Sequence, residues 1–325
     1  MSTKRPKVWF ERQVLPDLVD DVAARVIMLG PADAVPDQPY ADLDEAEGII
    51  ASVRRYDGAF MDRAPSLRII SRTGIGYDKV DVEAATERGV AVCNTPDGPT
   101  ISTAEHTITL MLMVAKNIKQ AEAALRNGQR DLYANHVSLE LDRQVLGLVG
   151  FGRIARHVAT IATGMGMRIL AFDPFLDDKA FPAGSRVDSL EELLNRADVV
   201  SIHIPMTPDN EGLFDADAFA AMKPGAIFLN SARGGLVDLA ALTAALDSGH
   251  LFSAGLDVTD PEPLPPDHPL LQRDDVVVTP HVASGTTAGK LRIFQMAFEQ
   301  VVQVLNGERP PHLVNPEVWD RLAPT

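Results

Sequence analysis

The sequence predicts an α/β fold of two doubly wound domains, each with a parallel sheet, and a cleft between them. Three observations lead to this fold class. Short apolar segments alternate with helical stretches along most of the 325 residues, a pattern typical of parallel sheets. A glycine-rich turn lies in mid-chain, at Gly150 to Gly152, so a substantial domain precedes it. The apolar fraction of 46% supplies a core large enough for two domains.

Five apolar segments predict the strands of the first domain. They span residues 8–10, 25–29, 48–53, 67–71 and 90–92. The fourth segment leads into the sequence RTGIGYD, in which Gly74 and Gly76 flank a single residue. Two glycines so placed can turn successive N–H groups toward an anion such as a substrate carboxylate. A plain strand-to-helix turn would explain the same two glycines.

Residues 102 to 127 are predicted to form one long helix that bridges the two domains. Ser102 and Glu105 have the spacing of a capping box, and Asn127-Gly128 supplies the stop. The apolar run from 108 to 115 could also bury against a second copy of the chain, so we expect a homodimer.

Six further apolar segments predict the sheet of the second domain. They span residues 145–149, 168–172, 198–204, 226–229, 253–256 and 276–278. Six is the strand count of a full doubly wound dinucleotide-binding fold. An amphipathic helix from Leu291 to Leu305 follows, stopped by Asn306-Gly307, and we expect it to pack back on the first domain. The first domain would then comprise residues 1–99 and 286–325, and the second residues 100–285.

The turn Gly150-Phe151-Gly152 has the features of a dinucleotide-binding turn. A strand enters it, a helix leaves it, and Asp173 follows the next strand, 21 residues after Gly152. Glycine permits the tight turn and the approach of a pyrophosphate to the helix N-terminus, and the acid would bind a ribose 2′-hydroxyl. The third glycine of the motif is Ala155, which the motif allows. A glycine-rich turn in another kind of α/β protein is the alternative.

Polar residues follow the later strands, where open α/β sheets bind ligands. Hydride transfer to a ketone requires a proton donor and a cation that polarises the carbonyl, roles that suit His281 and Arg233. Glu262 is the candidate carboxylate that would hold the His281 ring. His203, also at a strand end, competes for the acid–base role, although its place inside an apolar run favours burial. Arg233 could also be an ordinary salt-bridge partner.

With these residues assembled, the chain resembles the D-isomer-specific 2-hydroxyacid dehydrogenases, the family that includes D-3-phosphoglycerate dehydrogenase and glyoxylate/hydroxypyruvate reductases. The resemblance covers about residues 48 to 317. Seven ordered blocks carry it: RTGIGYDKVD, NTPDGPTISTAEHT, GLVGFGRIAR, HIPMTPDNEGL, NSARGGLVD, AGLDVTDPEP and TPHVASGT. It implies two Rossmann-like or flavodoxin-like domains.

The resemblance also implies roles for single residues. Arg233 would orient and polarise a 2-oxo acid, His281 would be the acid–base residue, and Glu262 would support it. The substrate-binding residues implied are Gly74, Ile75, Gly76, Tyr77 and Arg233. The cofactor-binding residues implied are Gly150, Gly152, Arg153, Ile154, Asp173, Ile204, Pro205, Ser231, Ala232, Asp257 and, near the nicotinamide, Ile75.

Two positions depart from the family pattern, and neither removes a catalytic group. Ala155 replaces the third glycine, and Thr259 stands where the family usually has an aromatic residue. Glu262 argues against a formate dehydrogenase, in which glutamine is expected, while a phosphite-oxidising relative stays possible. No zinc or iron–sulfur pattern is present, so we expect no metal.

The expected function is that of an NAD-dependent D-2-hydroxyacid dehydrogenase acting on a small 2-oxo or 2-hydroxy acid. Asp173 favours NAD because the 2′-phosphate of NADP would add negative charge beside a carboxylate. The alternative is a nicotinamide-sensing protein, like the corepressors built on this fold. The substrate stays open: Arg54 and Arg55 could hold a distal anion, but a solvated surface pair fits two adjacent residues better.

Charge and cysteine content narrow the partners and the compartment. The formal charge of −15 argues against nucleic acid or an anionic membrane as a partner. The single cysteine, Cys93, fits a reducing compartment. Neither a membrane span nor a signal peptide is evident in the sequence, so a cytoplasmic protein is expected.

Overall fold

The structure is a computed structural model that describes residues 5–30, 38–130 and 133–322. The chain forms two compact units. The first unit comprises Met1–Pro99 and Thr286–Thr325, and the second comprises Thr100–Gly285. Each unit contains one parallel sheet, which confirms the predicted α/β class with doubly wound sheets.

The first unit has a five-stranded parallel sheet in the order β2-β1-β3-β4-β5. Its strands are β1 (Lys7–Phe10), β2 (Ile27–Leu29), β3 (Gly48–Ala51), β4 (Ile69–Arg72) and β5 (Ala91–Cys93). Its early helices are α1 (Val19–Arg25), α2 (Gly58–Met61) and α3 (Val82–Glu87). Two later helices, numbered in chain order after those of the second unit, are α11 (Thr287–Leu305) and α12 (Trp319–Leu322).

Both faces of this first sheet are buried. Val8 and Phe10 lie in one core cluster with Phe298 and Val301 of α11, whereas Trp9 lies in a second cluster with Phe60 of α2. This alternation follows from the opposite directions of successive side chains in a strand. The C-terminal helix therefore completes the core of the first unit. Thr286 caps its N-terminus, because the hydroxyl accepts a hydrogen bond from Gly289 N (2.9 Å), and Asn306 is its C-cap.

The second unit has a six-stranded parallel sheet in the order β11-β10-β9-β8-β6-β7. Its strands are β6 (Val145–Val149), β7 (Arg168–Phe172), β8 (Val199–Ile202), β9 (Ala226–Asn230), β10 (Leu251–Leu256) and β11 (Val276–Val278). Its helices are α4 (Thr100–Ala115), α5 (Ile118–Arg126), α6 (Arg153–Gly164), α7 (Leu190–Arg196), α8 (Ala216–Ala221), α9 (Leu239–Asp247) and α10 (Pro269–Gln272). Leu146 and Leu148 pack beneath α4 and α6, while Val145 and Val149 face α7 and α8.

The prediction of one helix over 102–127 is wrong in two respects. The helix begins two residues earlier, at Thr100, so Ser102 lies inside its first turn and does not cap it. The segment also breaks at Asn117, whose φ of 47° is left-handed. Asn tolerates this conformation, and its Nδ2 donates to Val137 O (2.6 Å), which fixes the break. The predicted stop at Asn127 is confirmed.

Among the described residues, none of the helices combines the length and apolar character that a membrane span would need.

Candidate active site

The predicted dinucleotide turn joins β6 to α6 in the second unit. Gly150 has a φ of 87°, and a Cβ there would approach His203 O to 2.9 Å, so both the turn and the neighbouring β8 require glycine. Gly152 is the N-cap of α6, and a Cβ there would meet no described atom within 4 Å. Within that radius the described residues therefore leave room beside the helix N-terminus, as an anion site requires. Ala155 is fully buried behind the turn.

Asp173 follows β7 and contacts the dinucleotide turn. Its Oδ2 accepts from Phe151 N (2.9 Å) and its Oδ1 accepts from Phe175 N (3.1 Å). A carboxylate has about four acceptor positions, so these two bonds leave acceptor capacity for a ligand hydroxyl. The acid is thus held at the turn by two protein donors.

The remaining residues of the second unit that are expected to bind the cofactor lie at the carboxyl edge of this sheet. Arg153 and Ile154 begin α6. The others directly follow β8, β9 and β10, which are neighbours in the sheet: Ile204, Pro205, Ser231, Ala232 and Asp257. The structure therefore brings these predicted residues of the second unit to one edge.

Arg233 lies three residues beyond the end of β9 in a loop that Asn230 holds. The buried Asn230 side chain donates to Arg233 O (2.8 Å) and accepts from Ala232 N (2.9 Å). The Arg233 guanidinium donates to Ala232 O (2.7 Å). A Cβ at Gly234 would overlap the carbonyl of Thr259, so the Arg233 loop packs directly against the chain that leads to Glu262.

His281 and Glu262 form the pair that the sequence predicted. His281 Nδ1 lies 2.7 Å from Glu262 Oε1. Because an ionised carboxylate only accepts hydrogen bonds, Nδ1 carries the proton of this bond and Nε2 is left to exchange a proton with a ligand. The two side chains are 42% and 41% exposed, so the ring is accessible.

Asp257 anchors the turn that carries His281. Three successive N–H groups bind this one residue: His281 N donates to its carbonyl (2.7 Å), while Val282 N and Ala283 N donate to its carboxylate (2.9 Å each). Burial raises the pKa of the Asp257 carboxyl, but hydrogen bonds from His106, Thr279, Val282 and Ala283 outweigh burial, so its pKa lies below the usual value. These protein donors were not foreseen, and the part of Asp257 in cofactor binding stays a prediction.

His203 has the surroundings of a structural histidine. Burial lowers its pKa to about 4, so the ring is neutral near pH 7. Its Nε2 lies 2.9 Å from Ser201 Oγ, a hydroxyl of β8. This environment disfavours the alternative in which His203 is the acid–base residue.

The loop Gly74 to Tyr77 follows β4 in the first unit. The Gly74 N–H donates to Thr95 Oγ1 (2.8 Å), and Asn94 Nδ2 donates to Ile75 O (2.7 Å). The N–H of Gly74 is thus already bound to another part of the first unit. Among the described residues, the N–H groups of Ile75 and Gly76 have no acceptor and are the ones an anion could bind. The Ile75 and Tyr77 side chains are exposed.

Arg54 and Arg55 lie in the loop after β3 of the same unit. The buried Glu11 carboxylate shapes this loop, because it accepts from Val53 N (2.9 Å), Arg54 N (3.0 Å) and Tyr56 Oη (2.6 Å). The Arg54 guanidinium lies over the Tyr40 ring, 5.3 Å from its centroid, while Arg55 is exposed. The two side chains therefore differ in surroundings, so the pair does not form one anion site by itself.

Comparison with known families accounts for this arrangement. The model of the NAD binding domain of D-isomer specific 2-hydroxyacid dehydrogenases matches residues 108–283, more than half of the chain. The chain belongs to the D-isomer specific 2-hydroxyacid dehydrogenase family. The match lies within the second unit, which contains the glycine turn, Arg233, Glu262 and His281.

Members of the family align over different shares of their length. A glyoxylate reductase of Aeropyrum pernix is 36% identical over 97% of both chains. A D-3-phosphoglycerate dehydrogenase of Archaeoglobus fulgidus is 38% identical over 82% of this chain and 51% of its own length. The chain thus spans about half the length of the curated phosphoglycerate dehydrogenases it matches. A solved structure from Thermus thermophilus has 40% identity and a TM-score of 0.84, covering 95% of this chain and 99% of that one.

Sequence reasoning singled out Arg233, Glu262 and His281 as candidates but did not identify the residues that hold their loops. Asn230, Gly234 and Thr279 support the functional loops, yet each belongs to a type that is common at strand ends. The motif ISTAEHT places His106 and Thr107 on α4, and no role was inferred for either.

Proposed function

We propose that this protein is an NAD-dependent oxidoreductase that reduces a small 2-oxo acid at C2 to the D-2-hydroxy acid. One observation carries the proposal: the His281–Glu262 pair, 2.7 Å apart, lies in the unit that matches the family's NAD binding domain. The relatives named above with an activity are a reductase and a dehydrogenase, so they give the sensor alternative no support.

The residues of the second unit fit a dinucleotide. Gly152 leaves the N-terminus of α6 open to a pyrophosphate, and Asp173 retains acceptor capacity for a ribose hydroxyl. When bound, NADH would supply the hydride. The residues proposed to hold the cofactor are Gly150, Gly152, Arg153, Ile154, Asp173, Ile204, Pro205, Ser231, Ala232, Asp257 and Ile75.

The proposed chemistry of the protein itself depends on three side chains. His281 gives the proton on Nε2 to the substrate carbonyl oxygen as that oxygen gains charge, while Glu262 holds Nδ1. The Arg233 guanidinium orients the oxo acid and stabilises the developing negative charge. Gly74, Ile75, Gly76 and Tyr77 form the proposed loop for the substrate carboxylate, through the open N–H groups of Ile75 and Gly76.

A direct assay tests the proposed function. NADH oxidation would be followed with glyoxylate, hydroxypyruvate, pyruvate, 2-oxoglutarate and 3-phosphohydroxypyruvate, and the product's configuration would be determined. We expect turnover with at least one of them and a D product. NADH binding without turnover on any 2-oxo acid would contradict the proposal.

Cofactor preference depends on Asp173. Beside a carboxylate at about 4 Å, an added unit of negative charge costs up to ~4 kcal/mol at an effective dielectric near 20, and half of that is roughly a 30-fold preference. We expect kcat/KM with NADH to exceed that with NADPH by at least about this factor. Asp173→Asn should narrow the ratio, because the amide removes the charge but keeps an oxygen that can accept from Phe151 N. An unchanged ratio in this variant would contradict the role of Asp173.

A homodimer is also part of the proposal, but not through the apolar run 108–115, because Ile108, Leu110 and Met111 of that run are buried in the core of the second unit. Four large apolar side chains between residues 118 and 137 are exposed, namely Ile118, Leu125, Tyr133 and Val137. Several exposed large apolar side chains in one short segment favour a protein contact there. Sedimentation should give about twice the chain mass of 35.1 kDa. The double variant Tyr133→Asp/Val137→Asp should give the monomer mass. Phe175→Asp, at an exposed aromatic outside this segment, is the control and should leave the mass unchanged.

We also propose a cytoplasmic location. Cys93 is a free cysteine buried in the first unit, and burial raises the pKa of its thiol to about 12. Among the described residues no disulfide is present, which is compatible with a reducing compartment.

A further inference from the structure

Helix α4 contacts residues at the ends of two strands that carry the candidate active site. Near its start, His106 Nε2 lies 2.9 Å from Thr279 Oγ1, just after β11. The next residue, Thr107, has its hydroxyl 3.2 Å from Ser231 Oγ, just after β9. The proposed function uses neither His106 nor Thr107.

Close packing of α4 on β10 places His106 beside Asp257. A Cβ at Gly255 would come within 3.1 Å of Leu110 Cβ, so the glycine allows the helix to lie close to the strand. Leu110 and His106 are four residues apart and share a face of α4. Asp257 is two residues beyond Gly255, and its Oδ1 lies 3.4 Å from His106 Nε2. The short distance to Asp257 therefore follows from the helix packing.

The hydrogen bonds at this point have a defined direction. Thr279 Oγ1 donates its one hydrogen to Asp257 Oδ1 (2.7 Å), because the ionised carboxylate can only accept. Thr279 Oγ1 must then accept from His106 Nε2, which fixes a proton on that nitrogen. His106 therefore donates to Thr279, and Thr279 donates to Asp257.

The Asp257 carboxylate, oriented by Thr279 and His106, also binds the turn that carries His281. This carboxylate binds Val282 N and Ala283 N, and His281 itself has a φ of 54°. This left-handed region is unfavourable for a non-glycine residue, which persists there only where its surroundings enforce it. The backbone conformation of His281 thus depends on the buried Asp257 carboxylate. That carboxylate is in turn held by Thr279, which is bound to His106.

We propose that His106, acting through Thr279 and Asp257, is a positioning residue for His281. This inference rests on the proposed function, since it assigns His106 to the same acid–base step. His106 does not exchange a proton with substrate. It keeps the Asp257 carboxylate oriented, so that the His281 turn holds the ring where the proton must be delivered.

Two pairs of variants, at His106 and at Thr279, test whether these residues position His281 or only stabilise the fold. His106→Phe and Thr279→Val remove the hydrogen bonds but keep similar volume, and we expect kcat to fall about 10- to 100-fold, as small misplacements of catalytic groups do. KM for the oxo acid should change less than about two-fold. His106→Gln and Thr279→Ser restore a donor or a hydroxyl and should recover most of kcat. Thr243→Val, which removes a hydroxyl bonded within α9, is the matched control.

Amide hydrogen exchange provides a readout that does not depend on turnover. In the protein without substrate, the peptide containing residues 281–283 should exchange at least about ten-fold faster in His106→Phe than in wild type, since its N–H groups lose a fixed acceptor. Thr243→Val should leave that peptide unchanged.

The outcomes distinguish this inference from the proposed function. Wild-type protein that turns over no 2-oxo acid would refute the proposed function. Active wild-type protein whose His106→Phe variant keeps its kcat and its exchange rate would overturn the positioning role alone. An equal loss of kcat in the Phe and Gln variants would also overturn it, because the hydrogen bond would then be irrelevant.

Discussion

Replacing His281 by Asn is expected to lower kcat by about 10²- to 10⁴-fold, the usual contribution of a positioned acid–base group. Asn suits the site because it tolerates the left-handed φ of 54° and its amide can still donate to Glu262. The variant therefore keeps the turn and loses the titratable nitrogen. Single-turnover NADH oxidation measures the effect, and fluorescence titration should show a Kd for NADH within about two-fold of wild type.

A control histidine makes this result specific. His250, whose Nε2 lies 2.9 Å from Met222 O, belongs to the same unit but lies outside the candidate site. His250→Asn should retain kcat. Equal activity of wild type and His281→Asn would refute the acid–base role of His281.

Changing Arg233 to Gln is expected to lower kcat/KM by about 10²- to 10³-fold, the range found when a group that stabilises an oxyanion is removed. Gln keeps much of the length of the side chain but lacks the positive charge. Arg233→Lys should recover only part of the loss, since an ammonium lacks the planar fork that binds a 2-oxo carboxylate through two nitrogens. Steady-state kinetics on the preferred oxo acid measures both variants.

Melting temperature and NADH affinity show whether the Arg233 variants lose activity through chemistry or through misfolding. Asn230 holds the backbone of the Arg233 loop through side-chain bonds that do not involve the guanidinium. The Gln and Lys variants should therefore melt within a few degrees of wild type and bind NADH normally. A Gln variant with unchanged kcat/KM would show that Arg233 is an ordinary surface cation.

Local sequence patterns predicted most of the fold. The strands 145–149, 168–172 and 276–278 form as expected, because buried parallel strands consist of short apolar runs between turns. The break at Asn117 was not predictable, because it depends on a hydrogen bond to Val137, 20 residues away. Helical periodicity continues through that point and cannot reveal a distant acceptor.

In the candidate site, too, some residues could be predicted from the sequence and others could not. His281, Glu262 and Arg233 could be proposed from the sequence because each has a distinctive chemistry and follows a predicted strand. The role of Asp257 in anchoring the His281 turn could not be predicted from the sequence. It arises because three backbone N–H groups and the Thr279 hydroxyl all donate to this one residue. Likewise, the engagement of the Gly74 N–H by Thr95 depends on a contact between two loops. Hydrogen bonds to backbone groups cannot be recognised from the composition of a sequence or from the spacing of its residues.

The helix α11 that completes the first sheet has a consequence for synthesis. Phe298 and Val301 pack with Val8 and Phe10, and Asn315 accepts from Val92 N (2.8 Å), yet the whole second unit separates these segments in the chain. On the ribosome, residues 5–99 emerge first but lack a covering for one face of their sheet until residue 286 and beyond have been translated. The second unit is contiguous and can fold during that interval. We therefore expect the order of folding to be the reverse of the order of translation.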